Sequence, residues 1–146
     1  MTSISRFLSS DHAHCDDRFA ESENAVAAKD WARAQSALQH FLDGMKHHFA
    51  MEEDVLFPAF EAHTGMSGGP TQVMRGEHRQ MNEVFAALRD ALARQDGNGY
   101  LGLSETLLML MRQHNMKEEN MLYPMADQAL ADERDALLAR MEATAP

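Results

Sequence analysis

The chain has 146 residues, 45% of them hydrophobic and 25% charged, and carries a formal net charge of −10. That length suits a single domain, 1–146, with one sizeable core, and the composition is that of a globular chain, not a disordered one. The acidic balance argues against nucleic acid and anionic membrane surfaces as partners, and no apolar run approaches the roughly 20 residues of a membrane span. Met1 to Ser10 lacks a basic start and an apolar stretch, so no secretory signal is expected. A single cysteine, Cys15, excludes an internal disulfide and suits a reducing cytoplasm.

Helical periodicity runs throughout, with no credible strand. A first helix is expected from about Ser10 to Ala28, with His12, Cys15, Phe19, Glu23 and Val26 on one face. Asp30 can cap a second helix beginning at Trp31. Its core stripe reads Ala34, Leu38, Phe41, Met45, His48, Glu52, Val55 and Ala59, in steps of three or four. Pro58 lacks a backbone donor and should kink or locally break this helix. Gly65 to Gly69 is the clearest linker.

Pro70 suits the first turn of a third helix, whose stripe is Met74, His78, Met81, Phe85, Leu88 and Leu92. The turn Asp96 to Gly99 ends it. A fourth helix carries Leu107, Met111, His114, Glu118, Met121 and Met125, with Pro124 repeating the Pro58 feature. A short fifth helix, about 132–142, offers Leu137, Leu138 and Met141 as a cap over one end. Short connections favour an all-α, antiparallel up-down four-helix bundle over about 10–128.

A shift of 66 positions lays the chain on itself. His12 falls on His78, His48 on His114, Glu52 on Glu118 and Pro58 on Pro124, while Leu56-Phe57 falls on Leu122-Tyr123. A histidine and a glutamate at i and i+4 share one helix face. Two such pairs, with one more histidine from each remaining helix, converge six donors at the centre of a pseudo-two-fold bundle. Histidine and glutamate are seldom buried unless paired or metal-bound. A lone histidine would be read as a hydrogen-bonded core residue, but six in repeated register point to metal. Imidazole and carboxylate accept iron, manganese or zinc, and a carboxylate can bridge two ions.

The repeat also sorts the neighbours. His14 and His47 have no histidine counterpart and are expected off the metal face, while His40 and His63, facing Thr106 and Ala129 in the repeat, are expected at the surface or as outer partners of a ligand. Glu53 and Glu119 correspond, with surface solvation the favoured role. Asp16 and Asn82 correspond as well, either as partners of a ligand or a metal-bound water, or as ordinary interhelical contacts. Asp11 reads as a first-turn capping residue. Glu77 reads as an extra ligand or an acceptor. The additional metal candidates are thus Glu77, Glu119 and Asp16. Met45, Met74, Met81, Met111 and Met121 are read as packing, Met51 and Met116 as off the core stripe, and Cys15 as a buried, inert thiol.

At His12, His48-Phe-Ala-Met-Glu52-Glu53, Glu77-His78 and His114-Asn-Met-Lys-Glu118-Glu119, the chain resembles the hemerythrin-like, or HHE cation-binding, family over about Asp11 to Met125. The resemblance implies a four-helix bundle around a non-haem pair of iron ions of the Fe–O–Fe type. His12, His48, His78 and His114 would be terminal ligands, with Glu52 and Glu118 as bridges. Oxygen-carrying members have a fifth histidine where this chain has Met74, and place the last carboxylate where it has Glu119. Symmetry with Glu52 favours Glu118.

The expected function is therefore binding of, or reaction with, a small ligand (O2, peroxide or NO) at a carboxylate-bridged metal pair. The alternatives are sensing of oxygen, iron or redox state, oxygen storage without catalysis, or a structural bundle with incidental metal. No separate acid-base or nucleophile set appears, so any catalysis would rest on the metals.

Overall fold

The computed structural model describes residues 2–145. Helix α1 (Ile4–Ala27) is capped by Ser3, whose hydroxyl accepts from the Arg6 amide at 3.0 Å. It begins well before Ser10, because Ile4 and Leu8 extend the His12 face by two turns and both are fully buried. Asp127 holds this start from across the bundle, accepting from the Ile4 amide at 2.7 Å and the Ser5 hydroxyl at 2.6 Å. Helix α2 (Trp31–Ala50) is capped by Asp30, as its sequence predicts.

The first departure follows Ala50. Residues Met51–Leu56 form a π-turn segment before α3 (Phe57–Thr64), and the Phe57 amide reaches back five residues to the Glu52 carbonyl. Pro58 has no amide hydrogen to give, so one inserted residue, not a sharp break, resolves the strain. The same event recurs where α5 (Gly97–Lys117) passes through Glu118–Leu122 into α6 (Tyr123–Ala129), with the Tyr123 amide on the Glu118 carbonyl.

The extra residue advances the buried stripe by one position. Ala59 and Met125 are half-buried and Met121 is 47% exposed, whereas Leu56, Phe57 and Phe60, and in the second half Leu122, Tyr123 and Ala126, lie inside. Met51, expected off the stripe, is buried.

Helix α4 (Pro70–Ala93) follows the Gly65–Gly69 linker, in which Gly65 takes the left-handed conformation that ends α3 (φ 74°). Two turns repeat in atomic detail. Lys29 and Gln95 both adopt positive φ (57° and 52°), and the Asp30 and Asp96 amides bond the Ala25 and Ala91 carbonyls. Asp96 then caps α5, so Gly97 to Gly99 belong to its first turn and not to the loop that ends α4. A short 3-10 turn (Ala131–Glu133) leads to α7 (Arg134–Ala143), whose Leu137 and Met141 seal one end as expected.

Helix α1 packs against α2 and α5, and α4 against α5 and α2, closing a four-membered helical bundle. One apolar cluster gathers Phe19, Phe41, Phe85, Tyr100 and Leu107; a second gathers Leu8, Phe57, Phe60, Tyr123 and Met141. His12, His48 and His78 each stand in sequence between a residue of one cluster and a residue of the other. The polar centre is thus walled by apolar packing above and below. Among the described residues, no helix is long and apolar enough to cross a membrane.

Candidate metal centre

His12 comes from α1, His48 from the last turn of α2, His78 from α4 and His114 from the last turn of α5. Glu52 and Glu118 sit in the two π segments. All six residues are at most 5% exposed, and the structure brings their side chains together. Glu52, His78, His114 and Glu118 offer donor atoms within 4.8 Å of one another, as do His12, His48 and Glu118. Glu118 belongs to both groups, and it, not Glu119, faces the centre.

The arrangement obeys the repeat. The His12 Nε2 to Glu118 Oε1 and His78 Nε2 to Glu52 Oε1 separations are both 3.1 Å. His114 Nε2 lies 3.1 Å from Glu118 Oε1, and its counterpart His48 Nε2 lies 3.5 Å from Glu52 Oε1. The paired rings are 4.6 Å apart for His12 and His48, and 5.0 Å for His78 and His114.

Each ring is held from outside by its own carboxylate. His48 Nδ1 donates to Asp11 at 2.7 Å, His114 Nδ1 to Glu77 at 2.9 Å, His78 Nδ1 to Glu53 at 2.7 Å and His12 Nδ1 to Glu119 at 2.7 Å. A carboxylate can only accept, so each Nδ1 carries a proton and each Nε2 faces the centre, where giving up its own proton to an entering cation would free a lone pair. This is the arrangement found around metal-ligating histidines in general.

Those inner atoms are not all answered. Glu52 Oε1, Glu118 Oε2, His78 Nε2 and His114 Nε2 are buried with no hydrogen-bond partner among the described residues. The 3.1 Å approaches of His78 and His114 to the carboxylates satisfy an ion-pair distance, but their angles form no hydrogen bond. Direction matters more than distance for an imidazole donor, so these are facing donor atoms without a bond. Orphaned buried polar atoms cost on the order of 1–3 kcal/mol each. A cation between them removes that cost. The donor set fits bound metal.

Electrostatics point the same way. Burial alone would depress His48, yet the Glu52 carboxylate and the Asp11 hydrogen bond raise it well above its ordinary value. His78 is likewise raised to about 9 against its burial, by the facing Glu52 carboxylate and the hydrogen bond to Glu53. Burial pushes Glu52 upward, but His48 and further hydrogen bonds hold it well below the usual carboxylate range. Two carboxylates at zero exposure attract positive charge into the core.

Residues 3–126 match the family model of the hemerythrin HHE cation binding domain. The chain belongs to that family. No curated protein and no solved structure matches it. Its buried histidine and glutamate groups form a metal-binding centre of this hemerythrin family.

The additional candidates fall elsewhere. Glu77 and Glu119 stand on the outer side of the rings, each bonded to an Nδ1, and Glu77 is also paired with Lys117. Asp16 is exposed on α1 and lies in neither donor group. Asn82 is exposed too. Asp11, read from sequence as a cap, lies mid-helix because α1 starts early, and it holds His48. Glu53 and Glu119 are partly solvated, as expected, but each spends one oxygen on a histidine. His14, His40 and His63 are exposed and His47 is half-buried. Cys15 is buried, and burial pushes its thiol up to about 11, leaving it inert.

The residue that sequence reasoning passed over is Tyr123. The repeat pairs it with Phe57 only as part of a Leu-aromatic-Pro match, yet its fully buried hydroxyl lies 2.7 Å from Glu52 Oε2 and 2.9 Å from Glu118 Oε1. The signal available was the one extra oxygen that distinguishes it from Phe57.

Proposed function

We propose that this hemerythrin-family domain holds two iron ions, with His12, His48, His78 and His114 as terminal ligands and Glu52 and Glu118 as bridges, and that O2, peroxide or NO binds or reacts there. The observation that carries this reading is the set of four buried, unpartnered donor atoms converging between four histidines whose outer nitrogens are all fixed by carboxylates. Manganese and zinc accept the same donors, and the family is the reason to place iron first. When bound, the pair would supply Lewis acidity and electrons for small-molecule chemistry. The chain's own part is to fix six donors on rigid helices, keep the Nε2 lone pairs free, and exclude bulk water with the two apolar clusters.

Met74, one turn before His78, is buried and thioether-bearing, so that corner of the site offers no nitrogen. This favours reaction or sensing over reversible oxygen storage. The test is to purify the full chain without chelator, count metals per chain, and record the visible spectrum with air, azide and peroxide. About two irons per chain with charge-transfer bands that shift on azide supports the proposal. A chain that takes up no stoichiometric iron overturns it. Fast bleaching with peroxide turnover makes it an enzyme, and a stable oxygenated spectrum makes it a store.

A further inference from the structure

The two halves of the centre are not equal. Around the Tyr123 hydroxyl stand Glu52 Oε2 at 2.7 Å, Glu118 Oε1 at 2.9 Å, His12 Nε2 at 3.2 Å and His48 Nε2 at 3.4 Å. In the metal-binding form, with Nδ1 alone protonated on both rings, all four neighbours are acceptors, and the phenol has one proton to give. One hydroxyl therefore faces four lone pairs and can answer only one. An octahedral ion with ligands at about 2.1 Å sets adjacent ligand atoms about 3.0 Å apart. The four separations bracket that edge length, and the His12 Nε2 to Glu118 Oε1 separation of 3.1 Å matches it as well. The Tyr123 hydroxyl thus stands at the spacing of a neighbouring vertex from the His12, His48 and Glu118 donors, which themselves group around one ion-sized site.

The twin position is Phe57. Its ring lies 5.9 Å from the His78 ring, as the Tyr123 ring lies 5.7 Å from that of His12, but it brings no oxygen. We propose that Tyr123 is a direct metal ligand on the His12/His48 side, and that the ion beside His78 and His114, with Phe57 in the corresponding place, keeps the open position for an exogenous ligand. As the metal–oxygen bond forms, the O–H bond breaks and the proton passes to solvent. This inference rests on the metal pair proposed above. It goes beyond that reading by naming a seventh protein ligand and by making the two ions chemically distinct.

A phenolate bound to ferric iron produces a visible ligand-to-metal band whose excitation enhances tyrosinate ring vibrations. The chain has two tyrosines, and Tyr100 is remote from the centre, donating to Ser22 at 2.8 Å. The experiment uses the full chain loaded with iron and oxidised with ferricyanide, read by metal count, absorption and resonance Raman. Tyrosinate modes are expected in the wild type and in Tyr100→Phe, and are expected to vanish in Tyr123→Phe while azide still shifts the remaining bands. Absence of tyrosinate modes from iron-loaded wild type overturns the assignment, and that measurement stands even if Tyr123→Phe does not fold. Their persistence in Tyr123→Phe overturns it equally. A wild type without bound iron fails the earlier reading and takes this one with it, an outcome told apart by the metal count alone.

Discussion

The His12/His48 half and the His78/His114 half share their backbone almost feature for feature. Both have a left-handed turn closed by an aspartate cap, a π-turn at the glutamate, and an outer carboxylate on each imidazole. Even the distant anchors correspond: Asp127 accepts from Ser5 at 2.6 Å, and Glu61 from Thr71 at 2.6 Å. Among the rings that flank the imidazoles, the halves part at two places. Phe57 stands where the other half has Tyr123, and Phe49, stacked 3.8 Å over His78, stands where it has Asn115. His78 is thus wrapped in hydrocarbon, whereas His12 meets a hydroxyl. Backbone symmetry fixes where the donors stand, and a single atom at one symmetric position sets how saturated each ion becomes.

The strongest way to break that comparison is to remove a shared donor. Glu118 faces both groups and Glu52 one, so Glu118→Ala should leave no tightly held metal, while Glu52→Ala should retain about one ion per chain on the His12/His48 side. Metal analysis after gel filtration reads the difference directly. Equal retention by both variants would show that the carboxylates do not divide the site as their geometry suggests.

A second comparison sharpens the role of the outer shell. Asp11 and Glu77 are twins, but Glu77 divides its carboxylate between His114 and Lys117, whereas Asp11 is hydrogen-bonded to His48. Replacing such a partner weakens metal binding by about 10–100-fold as a rule. Asp11→Asn should therefore fall near the upper end of that range and Glu77→Gln near the lower, measured by competition with a chelator of known affinity. Metal binding unchanged in both would mean that the Nδ1 bonds do not orient the rings.

Much of this centre is legible in the sequence. A repeat of 66 residues isolates the six inner donors, because chance rarely duplicates His-x-x-x-Glu together with a second histidine. The caps Asp30 and Asp96 and the Gly65 stop follow from local chemistry alone. The register beyond Glu52 and Glu118 was not legible. A missing proline donor can be met by a kink or by an inserted residue, and a period of 3.6 carried straight through points to Ala59, Met121 and Met125. The adjacent apolar pairs Leu56-Phe57 and Leu122-Tyr123 were the trace of the insertion. It is this shift that turns Tyr123 inward beside Glu118, so the overlooked register and the overlooked site residue share one cause. The outer carboxylates were visible as repeated pairs, but their targets lie on other helices, which spacing along one helix does not reveal.

The smallest expected effect lies at the anchors. Glu61 accepts from Thr71 and pairs with Arg75, whose guanidinium lies 5.3 Å from the Phe57 ring centre, so the clamp ties α3 to α4 beside the unsaturated half. The Arg75 hydrogen bond holds the Glu61 carboxyl below its ordinary value. A depressed carboxylate stabilises the fold fully above its unfolded pKa of about 4.3, and that contribution fades as pH falls through the folded value. A half-exposed pair of this kind contributes on the order of 0.5–1 kcal/mol. Glu61→Gln should then unfold at slightly lower urea than wild type at pH 7, with the two curves merging below about pH 4. A gap that widened in acid would mean that the carboxylate destabilises the clamp, and that Thr71 and the Phe57 stack hold α4 without it.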